Sequence, residues 1–192
     1  MNFKFLTVFL LFTHLGLLMK LASAQEWTQF RGTGTMGHSS DKNVPSKITE
    51  KEIKWALDLP GTGHSSPVVW GNSIFLTVSS KKAQGTRFFM ALSLDTGKEK
   101  WRNKQTHKIY RQHRFNDFSS STPCCDKDRV YVAWTSPDGV EAIALDHNGK
   151  EVWKKKLGKF YAKHGSSASP VLAGGSLVIG SHGEEGKSYV VG

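Results

Sequence analysis

Past an apolar opening, the hydrophobic positions of this chain fall in short runs separated by turn residues, and no segment after residue 25 keeps the three-and-four spacing of a helix. The runs are Ile74-Phe75-Leu76-Thr77-Val78, Phe88-Phe89-Met90-Ala91-Leu92, Val130-Tyr131-Val132-Ala133-Trp134, Ala142-Ile143-Ala144-Leu145 and Leu177-Val178-Ile179. They are bounded by Gly71-Asn72, Asp95-Thr96-Gly97, Asp126-Lys127-Asp128, Asp146-His147-Asn148-Gly149 and Gly174-Gly175. Short β-branched and aromatic runs between Gly, Asp and Asn clusters are strand and hairpin signals, so the pattern predicts an all-β protein.

The runs recur in a fixed order. Ser65-Ser66-Pro67-Val68-Val69, Ser121-Thr122-Pro123-Cys124-Cys125 and Ala168-Ser169-Pro170-Val171-Leu172 each precede a turn and a β-rich run. In the first two units an apolar strand follows, then a turn, then Gly97-Lys98-Glu99-Lys100-Trp101 or Gly149-Lys150-Glu151-Val152-Trp153. Glu52-Ile53-Lys54-Trp55 reads as an earlier, degenerate copy of that ending. Four strands per unit at a period of roughly 50 residues predict a β-propeller of four-stranded antiparallel blades. Proline cannot donate to a ladder, which places it at the start of the innermost strand. Gly97 and Gly149 are expected to supply a positive φ between the third and fourth strands, and Trp101 and Trp153 to close the blades by packing between sheets.

The first residues change the setting. Lys4, an apolar run from Phe5 to Leu18 and Ala22-Ser23-Ala24 read as a secretory signal over residues 1–24, leaving a propeller domain over 25–192. The apolar stretch is interrupted by His14, Gly16 and Lys20, short of the roughly 18 to 20 residues of a spanning helix. Cleavage removes Lys4 and Lys20 and no acid, so the mature chain stays basic. Its lysines are spread over turns and strand ends, with Lys154-Lys155-Lys156 the tightest run. An exported protein of the periplasm or exterior with such a surface is expected to favour anionic ligands or the envelope, not nucleic acid.

At these motifs the chain resembles the pyrroloquinoline-quinone-like (PQQ-like) propeller repeats, whose hallmark is Ala-x-Asp-x-x-Thr-Gly-x-x-x-Trp. Ala91 to Trp101 has Thr96, Gly97 and Trp101 in place with Ser93 for Asp, and Ala144 to Trp153 has Asp146 but is one residue short and carries Asn148 for Thr. Trp27-Thr28-Gln29-Phe30-Arg31-Gly32 and Pro60-Gly61-x-Gly63-His64-Ser65-Ser66-Pro67 are similar to the start of secreted bacterial members. The resemblance implies a ring of roughly seven or eight blades. The chain holds two whole units, part of a third and a leading outer strand, so it is expected to be the N-terminal piece of such a ring, partly folded and prone to associate.

The repeat motif holds blades together and names no chemistry. Quinone-dependent alcohol dehydrogenases of this resemblance carry an adjacent cysteine pair followed by Asp, forming a vicinal disulfide beside PQQ and calcium. Cys124-Cys125-Asp126 matches that order, and an oxidising compartment would permit the disulfide. The same pair stands where the sibling units have Val68-Val69 and Val171-Leu172, which two small buried apolar residues explain equally well. No catalytic residue, calcium ligand or other metal ligand is assigned. The long connection Thr106 to Phe115 is expected at one rim, where Arg111, His113 and Arg114 are candidates for holding a carboxylate or phosphate. His64 and His164 occupy matching places and are candidates at the channel mouth. The expected function is an exported non-catalytic scaffold binding a protein or small anionic ligand at its rim, with no cofactor. The alternatives are a PQQ-dependent dehydrogenase and an assembly factor associated with the envelope.

Overall fold

A computed structural model of the chain describes residues 26–80, 82, 84–183 and 188–192; the signal segment 1–24 lies outside them. The pattern of short alternating runs folds as three antiparallel sheets in sequence. The first holds β1 (Gly61–Thr62), β2 (Val68–Trp70), β3 (Ser73–Ser80), β4 (Thr86–Ser93) and β5 (Glu99–Thr106). The second holds β6 (Cys124–Cys125), β7 (Arg129–Ser136), β8 (Gly139–Asp146) and β9 (Glu151–Gly158), and the third holds β10 (Val171–Ala173), β11 (Ser176–Ser181) and β12 (Tyr189–Val191). These are the propeller blades the repeats predict. Glu52-Ile53-Lys54-Trp55 departs from expectation: Glu50–Glu52 forms a 3-10 turn, and the residues after it have no ladder partner among the described residues.

Alternation along the strands gives each blade two buried faces. In β4, Phe89 and Ala91 face Cys125, Val130, Val132, Trp134, Ile143 and Leu145 of the second sheet, while Met90 and Leu92 pack with Val78 on the other side. Ile179 of β11 joins Ala133, Val140 and Ala142 in the next interface. Each such Val, Leu, Ile or Phe contributes about 2 kcal/mol on leaving water. The outer strands β5 and β9 show the half-buried pattern of a sheet edge.

The repeated order of turn glycine and tryptophan has a direct geometric reason. Gly97 and Gly149 take φ +68 and +86, and a Cβ on Gly97 would come 2.4 Å from the Trp55 ring, one on Gly149 2.6 Å from the Trp101 ring. The indole N–H of Trp55 donates to the Leu94 carbonyl and that of Trp101 to the His147 carbonyl, both at 2.9 Å. Each tryptophan therefore packs on the turn of the following blade. Trp55 does this without being in a strand.

Pro67, Pro123 and Pro170 immediately precede the inner strands β2, β6 and β10. The residue before each proline ties one blade to the next: the Ser66 N–H donates to the Thr122 hydroxyl, and the Thr122 N–H donates to the Ser169 hydroxyl, each at 3.0 Å. Where the inner edge of the first sheet is interrupted between β1 and β2, the Ser65 hydroxyl accepts from the Thr77 N–H and donates to its carbonyl, completing the ladder.

The N-terminal residues cover this inner edge. Trp27 pairs with Val69 of β2 through two backbone bonds, the Thr28 carbonyl accepts from Cys125 of β6, and the buried Gln29 side chain accepts from Leu172 of β10. Three consecutive residues thus cross three blades and satisfy backbone groups that an open strand edge would leave unpaired. Gly32, at φ +78, lets the chain turn back under the Trp27 ring.

Candidate functional site

The hairpin between β3 and β4, the connection 107–123 and the connection 159–170 leave the sheets at the same end, which forms one rim. The longer connection is pinned to its neighbour. The His113 N–H and the Asn116 side-chain amide both donate to the His164 carbonyl, at 3.2 and 2.9 Å, and the two imidazole rings lie 5.9 Å apart. Tyr110 packs edge-on against Phe118 and Phe160, and its hydroxyl bonds the Thr135 hydroxyl at 2.9 Å.

Pinning at these points turns the remaining side chains outward. Arg111, His113, Arg114 and His164 are exposed. Ile109 is 50% and Phe115 70% exposed, with the Arg114 guanidinium 4.5 Å from the Phe115 ring centre. Arg111 and His164 share a cavity of about 460 Å³ with Tyr110 and Phe160. The structure thus brings together four of the rim candidates. His64 stands apart in a second cavity, about 590 Å³, with Phe30, Arg31, Phe115 and Asn116, while its backbone N–H donates to the Ser119 carbonyl. His64 and His164 therefore open on different cavities despite their matching places in the repeat.

Cys124 and Cys125 are both buried free thiols. Successive residues of a strand face opposite ways: Cys124 packs with Tyr131 and Ala144, and Cys125 with Val68 and Val130. Burial raises both thiols, Cys125 to about 12. Both oxygens of Asp126 are engaged within its own turn. One accepts from the N–H groups of Asp128 and Arg129, the other from the Tyr131 hydroxyl at 2.8 Å. Burial works to raise this carboxyl, but those hydrogen bonds outweigh it and hold it below its ordinary value. Both Asp126 oxygens are thus occupied by hydrogen bonds, and the two thiols pack into different clusters.

Two groups near the rim, the half-buried His107 and the fully buried Arg87, were not among the sequence candidates. His107 lies 6.1 Å from the Trp134 ring, and burial, with Arg87 and Lys154 nearby, lowers it to about 4, so the imidazole is neutral near pH 7. Arg87 is fully buried between Phe118 and Trp134, and burial lowers it to about 10 against the opposing pull of Tyr110 and Asp117. The strand alternation carried the signal for Arg87, since it shares a face with Phe89 and Ala91.

The family model described as outer membrane protein assembly factor BamB matches residues 38–186. The chain belongs to the PQQ-like β-propeller repeat family. Among solved structures, a europium-containing methanol dehydrogenase is 18% identical over 83% of this chain and 28% of its own, with a TM-score of 0.55. BamB from Moraxella catarrhalis is 18% identical over 66% of this chain and 33% of its own, with a TM-score of 0.43, too loose a likeness to argue from. At such identities the likeness to the dehydrogenase is one of fold, and this PQQ-like chain spans under a third of that protein. No curated protein sequence matches it significantly.

Proposed function

We propose that this PQQ-like chain is the propeller portion of an exported binding protein, which engages a protein partner of the envelope through its rim and catalyses no reaction. The observation that carries this reading is the pinned connection 107–118, on which Phe115, Ile109 and Arg114 are exposed, with the Arg114 guanidinium against the Phe115 ring. Exposed aromatic and arginine side chains on a fixed backbone are the usual makings of a protein-binding hot spot. The basic charge and the arginines favour a partner face carrying carboxylates beside apolar groups. A family description naming an outer membrane assembly factor supports an envelope partner, and export by a signal over residues 1–24 would deliver the chain there.

The quinoprotein alternative rests on Cys124-Cys125-Asp126, and the engagement of Asp126 by Tyr131 and by its own turn weighs against it. Exported full-length protein mixed with PQQ, calcium and a primary alcohol is expected to reduce no redox dye. Saturable, quinone-dependent dye reduction would replace the binding reading with a dehydrogenase.

A further inference from the structure

One stretch of the chain has the pattern of a strand and no sheet to lie in. Along Ile53-Lys54-Trp55-Ala56-Leu57-Asp58-Leu59 large apolar residues alternate with small or polar ones, the period of a half-buried strand. Residues 54–60 nevertheless have no backbone ladder partner among the described residues. Trp55 is seated on Gly97 as Trp101 is on Gly149, so the stretch already stands against the first blade as β5 stands against the second. What it lacks is the rest of a sheet, and Ile53, Leu57 and Leu59 stay 53%, 44% and 40% exposed.

The third sheet has the converse gap. Its strands β10, β11 and β12 match the first three of the sheet before it, and β12 has an open edge, among the described residues, where β9 lies in that sheet. The other two sheets set the register of a fourth strand. Trp101 pairs with Ala91, Ala91 with Phe75 and Phe75 with Val68; Trp153 pairs with Ala144, Ala144 with Tyr131 and Tyr131 with Cys124. In the third sheet Val171 pairs with Val178, and the pairing of Ile179 with Val191 makes Gly192 the next residue opposite Val178. The tryptophan place is therefore opposite Gly192. With Trp55 there, antiparallel pairing sets Ala56 against Val191, Leu57 against Val190 and Asp58 against Tyr189. Val190 is 70% exposed, so this register joins two exposed apolar side chains.

We infer that the open edge of β12 is completed by residues 55–58 of a second copy of this chain. The pairing supplies ladder partners to two unpaired backbone edges and covers Leu57 with Val190 as a cross-strand pair. It also sets the third blade of one copy against the first blade of the next. The two surfaces differ, so copies join head to tail. The contact uses none of the rim residues and does not depend on the protein-binding reading.

Light scattering of the full chain over a dilution series is expected to show concentration-dependent association. Leu57→Asp and Val190→Lys, both at exposed positions, are each expected to weaken it about tenfold or more with the monomer's melting curve unchanged. The two together are expected to recover most of it, because the opposite charges then meet across the strands. Chains carrying Leu57→Cys and chains carrying Val190→Cys, mixed and treated with a short bismaleimide, are expected to give a linked pair that neither gives alone. The native chain, its Cys124 and Cys125 buried, is the blank. A chain that stays monomeric at every concentration would overturn the inference. So would association indifferent to both charge substitutions, or a variant carrying both new cysteines that links only within one chain.

Discussion

The indole of Trp101, at the end of one blade, lies against the α-carbon of Gly149 in the next, so close that a methyl group there would come 2.6 Å from ring carbon Cδ2. Trp55 and Gly97 repeat the arrangement one blade earlier. Gly149→Ala adds both this collision and an alanine at φ +86, and is expected to lower stability by about 2 kcal/mol. Trp101→Ala should cost about 3 kcal/mol. In the double variant the ring is gone, so the alanine should cost less than it does alone. Urea melts of the four proteins measure that coupling.

The hydroxyl of Thr122, itself 1% exposed, receives the Ser66 N–H across the blade boundary. Thr122→Val keeps the shape and removes the acceptor, so the expected loss is about 1 to 2 kcal/mol. Faster hydrogen exchange of the Ser66 amide, with the amides of β7 and β8 unaffected, would locate the loss at the inner edge.

His107 gives the fold a defined pH response. Unfolded, its imidazole takes up a proton below about 6.5; folded, burial and the cations Arg87 and Lys154 delay that to about 4. Between those values the unfolded chain binds more protons, so this residue's contribution to stability falls as pH falls through that window and is complete above it. Denaturant midpoints from pH 7 to pH 4 should decline in the native chain and decline less in His107→Gln.

The cysteine pair is expected to behave as two apolar fillers. Cys124→Val with Cys125→Val should fold and melt within about 1 kcal/mol of the native chain. A large drop in the cooperative melt would instead reveal a structural disulfide.

The blades were legible because propeller sheets repeat locally: Gly97 and Trp101, Gly149 and Trp153, and the three prolines occupy the places their types predict. Relations between blades were not. That Ser66 meets Thr122, and Thr122 meets Ser169, depends on how the sheets stack, and the pairing of Trp27 with Val69 spans a stretch that no local spacing encodes. Trp55 was read as the end of a degenerate copy of the blade ending, in a leading outer strand, whereas it lies outside any strand and packs on Gly97, a contact that needs only the ring. Among the rim residues, the types of Arg111, His113 and Arg114 were visible, whereas the hold of His113 and Asn116 on His164 joins two connections that only the fold brings together. Arg87 was missed although β4's alternation placed it inward, since a lone arginine among strand residues ordinarily reads as solvated.

The rim reading is tested most directly by photocrosslinking in the exporting cell. A benzophenone side chain is placed at Arg111 or Phe115 of the full chain, and at Val152 on the outer strand β9, which is 46% exposed and so also open to solvent. Both rim positions are expected to yield one discrete adduct of the same mass, lost on introducing Arg114→Glu, while Val152 yields none. Adducts of equal yield at Val152, or none from either rim position, would contradict the account.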